Sequence, residues 1–251
     1  MAIHQSSNKM PNGRGNATLS FFKLPHFVLD SQQYQSLRPV CRALLIQAGG
    51  QYNGQNNGDL HLAEQPMLAL GWKRDQLRKA IAELETSELL RKTRPQTSRK
   101  APNLYGLGWQ AIDADPTKLP ASARHKTKVQ LPGDKGKKSK FAQVLKIILS
   151  HPDYLALSKP AQALLWEVAA QYNGHNNGEL LLTHAYFGSR GWTKPALKKA
   201  RDELLNADWL RLASCPLSRK GSEPLRYALS WKPLDLEIEQ PEPYRVRNLN
   251  H

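Results

Sequence analysis

The chain has 251 residues, 40% of them hydrophobic and six of them Trp, enough for one large domain or two small ones, each with its own core. A formal net charge of +15 and a pI of about 9.9 exclude an acidic solvating chain and favour a polyanionic partner. The two cysteines, Cys41 and Cys215, make no disulfide framework and point to a reducing compartment, and no apolar run is long enough to span a membrane.

Residues 1–20 are polar and lack an apolar core, so they read as a flexible N-terminal tail and not as a secretory leader. The segment that follows is used twice. QYNGQNNGDL at 51–60 returns as QYNGHNNGEL at 171–180, an offset of 120 positions. The same offset pairs Phe21 with Phe141, Tyr34 with Tyr154, Gly71-Trp72 with Gly191-Trp192 and Ser98-Arg99-Lys100 with Ser218-Arg219-Lys220. From Tyr105 and Tyr227 onward it is 122, so a two-residue difference falls in the segment between Lys100 and Tyr105, as expected of an exposed loop. The chain therefore reads as a tandem duplication, with domains at 21–113 and 141–235.

In the first copy Leu37, Val40, Cys41, Leu44, Leu45 and Ala48 fall on one face of a helix over about 36–51; Leu157, Ala161, Leu164, Leu165 and Val168 repeat the stripe. Cys41 sits on that face as a small apolar residue. Asn53-Gly54 and Asn57-Gly58 favour positive φ and turn the chain into a short strand at 59–62, with 179–182 as its counterpart. Asn56 and Asn176 are the loop positions considered for a ligand. A short helix at 63–70 or 183–189 is broken by Gly-Trp, and another helix follows at once. Its inward face is Leu77, Ala80, Ile81 and Leu84 in one copy, and Leu197, Ala200 and Leu204 in the other. The segments LLRKTR and LYGLGWQAI read as strands around the basic loop PQTSRKAPN; WLRLAS and LRYALSWKPL flank CPLSRKGSEPL. Each copy is thus α+β: helix, strand, helix, turn, helix, strand, basic loop, strand.

That order resembles a winged helix-turn-helix domain, with the basic hairpin as the wing. YNGxNNG(D/E)L followed by Gly-Trp and a basic helix is similar to regulatory or replication-associated proteins of bacterial phages and plasmids, and covers both copies. The resemblance implies two tandem winged-helix domains that bind double-stranded DNA, one half-site each, so that a monomer imitates a dimer, with a homo-oligomer as the alternative. It also implies a cytoplasmic, nucleoid-associated location in bacteria and no membrane partner. Transcriptional regulation on a mobile element is the first expectation. Origin binding in replication, with host transcription or replication proteins as partners, is the second; a protein-interaction scaffold is the third.

Recognition helices place their N-terminal residues against base edges. Gln76 is suited to a base, and Lys73, Arg74, Arg78 and Lys79 to phosphates or guanine; Thr193, Lys194, Lys198 and Lys199 are the second set. Thr193 also reads as a helix cap, with Pro195 in the first turn. In the wings, Arg94, Arg99, Lys100, Arg219 and Lys220 are the candidates for clasping the sugar-phosphate backbone or entering the minor groove. Trp72 and Trp192 are expected to pack inward.

Residues 114–140 carry eight Lys/Arg against two Asp, with three Pro and two Gly, which reads as a basic linker; 236–251 read as a C-terminal tail. GDKGKKSK has only two residues between its glycines, where a phosphate-binding loop needs four. The eight His are scattered and no Cys/His set has zinc spacing, so catalysis, a metal and a cofactor are not expected.

Overall fold

The computed structural model describes residues 19–96, 102–113, 128–214, 224–235 and 246–249. The chain is a mixture of helix and strand whose elements recur in the same order in both copies. The first copy runs β1 (Phe21–Pro25), α1 (His26–Leu29), α2 (Gln32–Gln35), α3 (Pro39–Gly50), β2 (Leu60–His61), α4 (Glu64–Ala69), α5 (Arg74–Thr86), β3 (Leu90–Arg94) and β4 (Leu104–Leu107). The second runs β5 (Phe141–Leu145), α6 (Lys146–Leu149), α7 (Pro152–Ala156), α8 (Lys159–Ala169), β6 (Leu180–Leu181), α9 (His184–Gly188), α10 (Lys194–Asn206), β7 (Leu210–Ser214) and β8 (Arg226–Leu229). Each copy has a small antiparallel sheet, of order β2-β4-β3 or β6-β8-β7. The strands bracketing each basic loop are direct partners, and the same ladder irregularity recurs between Lys92 and Arg94 and between Leu212 and Ser214.

The repeated Asn/Gly phrase is a structural knot. Gly54 and Gly58 take φ of +102° and +117°, and Gly174 and Gly178 +107° and +114°, values that a residue with a Cβ adopts only under strain. The Gln51 side chain bonds both polar groups of the His61 backbone at 2.8 Å, fastening the end of α3 to β2; Gln171 does the same for Leu181. Asn56 closes the loop, accepting from Asn53 N and donating to Gln51 O. Asn57, fully buried, accepts from Leu107 N and donates to the carbonyls of Leu107, Gln110 and Ala111, while Asp113 receives its backbone N–H. Asn177 and Asp235 repeat the arrangement. The Asn beside the one considered for a ligand is therefore the residue that anchors the sheet, because its amide can satisfy several buried backbone groups at once.

The two copies are joined into one body. β1 pairs with β5 antiparallel, and one continuous cluster of buried side chains spans both copies. α3 packs against α8. The single apolar stripe expected of α3 is consequently too narrow: Arg42, Ala43 and Ile46 are as buried as Leu44 and Leu45, because a second copy covers the far side.

Among the cations that bond across this seam, Arg42 and Lys159 are each set against a tryptophan of the opposite copy. Arg42 forms a 3.0 Å ion pair with Glu167 and donates to Gln35 O and Arg190 O; its guanidinium carbon lies 5.7 Å from the ring centre of Trp192. Glu167 also accepts from the Tyr34 hydroxyl and from Trp192 Nε1. From the other copy, Lys159 Nζ donates to Leu70 O at 2.9 Å and lies 4.9 Å from the Trp72 ring centre. Both tryptophans are buried, so they pack inward as expected, each under a cation from the opposite copy. Gly191, at φ +81°, admits this approach: a Cβ there would fall 2.3 Å from Gln35 O.

Two segments assigned by composition to linker and tail return to the copies. Val129 N donates to Gly108 O and Leu131 is buried, while Lys128 pairs with Asp134 at 2.7 Å. At the corresponding place in the second copy, Arg247 N donates to Ser230 O, and its guanidinium lies 4.0 Å from the Trp209 ring centre while donating to Ala207 O. Residues 128–140 are thus not a solvated tether throughout, because Val129 and Leu131 supply apolar surface that the charge count hides. Residues 1–18, 114–127, 236–245 and 250–251, and Cys215, lie outside the described residues.

Candidate nucleic-acid interface

α5 follows Lys73, whose extended backbone forms the N-cap, and runs for 13 residues from Arg74. Leu77, Ala80 and Leu84 are buried and Ile81 is half-buried against the core. Lys73, Arg74, Arg78 and Lys79 consequently project outward, and Gln76 is partly covered. The turn before the helix is fixed by Gly71 and by a bond from Trp72 N to Met67 O at 3.1 Å.

Glu64, at the start of α4, lies between two of these cations. It accepts from Arg74 Nε at 2.6 Å and stands 3.6 Å from an Arg78 nitrogen. Both arginine side chains are more than half exposed. Pairs of this kind contribute about 0–1 kcal/mol. They hold the two guanidiniums near one another while leaving both side chains largely open to solvent.

α10 is built the same way. Thr193 Oγ1 accepts from Ala196 N at 3.4 Å, and Pro195 occupies the first turn, as the sequence predicts. Leu197, Ala200 and Leu204 are buried; Thr193, Lys194, Lys198 and Lys199 are exposed. One carboxylate distinguishes this helix. Asp202, where the first copy has Ala82, takes Lys198 at 2.9 Å and Arg201 at 2.7 Å, and hydrogen bonds from Lys198 and then Arg201 hold its carboxyl below the usual carboxylate range.

Of the wing candidates, Arg94 is exposed at the end of β3, opposite Leu104. Arg99, Lys100, Arg219 and Lys220 lie outside the described residues. Cys41 is fully buried, and burial pushes its thiol up to about 12, away from nucleophilic use.

The seam residues Arg42, Glu167 and Lys159 and the anchors Asn57 and Asn177 were not among the sequence-derived candidates. Arg42 and Glu167 left a signal, as charges inside otherwise apolar helices. Asn57 and Asn177 left another, as an identical polar residue in both copies of the phrase.

A cleft of about 790 Å³ opens beside the seam, between α1 of one copy and α8, α9 and the Asn/Gly loop of the other. His26, Lys140, Arg190 and Lys232 line it, together with Asp30 and Glu167. Burial lowers the His26 imidazole, with Asp30 opposing and Lys140 and Arg190 reinforcing that shift. Among the described residues no helix is long and apolar enough to cross a membrane. In comparisons with protein-family models, curated proteins and solved structures, the chain has no match.

Proposed function

We propose that each copy is a winged helix-turn-helix domain, that α5 and α10 are the recognition helices, and that the chain binds double-stranded DNA sequence-specifically to regulate transcription. One observation carries the reading. Arg74, Arg78 and Lys79 on α5 are matched at equivalent positions by Lys194, Lys198 and Lys199 on α10, and all six are exposed opposite a buried apolar stripe. A helix that merely solubilises its outer face needs charge of either sign, whereas one that meets phosphates needs cations at the places that face them. Gln76, in the first turn of α5, adds a group that can bond a base edge. Each helix follows a tight Gly-Trp turn, and each hairpin beside it carries basic residues in its sequence. Binding suffices for regulation, since occupancy of a site blocks or recruits other proteins without chemistry.

The test is the salt dependence of binding to a duplex. Cations that displace counterions from phosphates make affinity fall steeply with salt, and two helices and two wings predict a log–log slope steeper than about −4. A nearly flat slope in an anisotropy titration contradicts the reading.

A further inference from the structure

The two copies are related by a two-fold rotation and not by a translation. In the β1–β5 ladder Phe21 faces Leu145 and Pro25 faces Phe141, so the pairing is centred on Lys23 facing Gln143, which are equivalent positions in the repeat. The helices that pack across the seam, α3 and α8, are equivalent too. The crossing bonds are reciprocal: a cation from the first copy reaches Arg190 O, and one from the second reaches Leu70 O, the equivalent carbonyl. Three separate contacts thus obey one dyad. A tandem array related by translation would instead join two different patches.

The dyad also passes between the two turns. A Cβ added to Gly71 would lie 3.6 Å from Leu155 O of the second copy, and one added to Gly191 would meet Gln35 O and Arg42 of the first. Both recognition helices therefore start at the seam, held by a ladder, a helix pair and a buried ion pair.

We propose that one chain occupies one inverted repeat made of two unequal half-sites, at a spacing set by the seam. The inference rests on the DNA-binding reading above. Helices related by a dyad meet equivalent bases only when the half-sites run in opposite directions. The half-sites differ because the helices do: Gln76 is matched by Ala196, Arg78 by Lys198 and Asp75 by Pro195. Gln and Arg offer bidentate contacts; Ala offers none, and Lys acts as a point charge. One chain suffices, because the seam is specific for unlike copies. Two first copies would set buried Arg42 against Gln47 with no carboxylate, and two second copies would set Glu167 against Gln162 with no guanidinium.

The experiment begins with selection of bound sequences from a random duplex pool by the full chain. The selected half-sites are then rebuilt as inverted and direct repeats, with the spacer varied, and the mass of each complex is measured. The expected result is one chain per duplex and an inverted arrangement bound about 100-fold more tightly than the direct one, because the misdirected half-site loses its base contacts. A spacer change of about three base pairs costs about tenfold, and adding a full turn of about 10 base pairs does not restore affinity, since a rigid seam cannot stretch one turn. Gln76→Ala relaxes preference in one half-site only. Equal affinity for both orientations, tolerance of any spacer, or two chains per site overturns the proposal and leaves duplex binding intact. Failure to select any duplex overturns the parent reading with it.

Discussion

At one end of the seam a guanidinium, Arg42, lies against Trp192 and is met by Glu167; at the other an ammonium, Lys159, lies over Trp72 and donates to Leu70 O and Gln162 Oε1. Among the described residues no carboxylate forms an ion pair with Lys159. Gln162 occupies the place of Arg42 and makes its local bonds, reaching Leu155 O and Leu157 O as Arg42 reaches Gln35 O and Leu37 O. One arginine has been divided into a glutamine that holds its own copy and a lysine that crosses to the other. The shared dyad fixes where a donor is needed, and only the first solution brings a full charge pair into the interior. The lysine shows the consequence: burial pulls it down to about 8.

The largest expected effect is at the paired end. Arg42→Gln or Glu167→Gln alone leaves a buried charge without its partner and should lower unfolding free energy by about 3–5 kcal/mol. The double variant places at this end the two glutamines that the sequence carries at the equivalent positions of the other end, Gln162 and Gln47, and should cost less than either single change, as read by denaturant titration. Additive losses would mean that the two ends are not alternative solutions to one packing problem.

Next come the sites where the halves agree. Asn57→Ala and Asn177→Ala each strand buried backbone groups, so each should cost about 1–3 kcal/mol, and by similar amounts. Asn56→Ala should cost less, since Asn56 serves only the exposed loop. If Asn56→Ala abolishes DNA binding at an unchanged melting temperature, the loop has a direct role after all.

On the outer surface the halves differ again. Gln76→Ala with Arg78→Ala should relax base preference by about 1–3 kcal/mol per lost contact. Lys198→Ala with Lys199→Ala should weaken all duplexes alike and reduce the salt slope by about one unit per lost phosphate contact. Site-selection profiles of both variants decide it; loss of preference in the second and not in the first reverses the assignment.

The smallest effect is the pH dependence of the lysine end. Lys159 has its pKa lowered by folding, so between about 8 and its ordinary 10.5 the unfolded chain binds more protons than the folded one. Stability conferred through Lys159 therefore rises as pH increases across that window. Measured against Lys159→Gln, the wild-type chain should gain stability from pH 8 to 10. No relative gain would place the ammonium in contact with water.

The repeat, the order of elements from α3 onward, the positive-φ glycines, the Thr193 cap and the outward basic face of α5 and α10 were legible from the residues alone, whereas β1, α1 and α2 and their counterparts were not. The repeat shows as a match between distant segments; each of the others depends on neighbours within a dozen positions, where periodicity, capping and turn chemistry act. The seam was not. Arg42 and Glu167 are 125 residues apart, and a helix covered on both sides leaves no amphipathic stripe to betray its second partner. Val129 and Arg247 likewise return to the sheet ends from segments that composition marks as solvated. The sequence by itself determined two similar α+β units with a basic helix each. Only the tertiary structure decided that they meet about a dyad, because strand register and helix packing between distant segments follow from shape and from the pairing of buried charges, which no local pattern encodes.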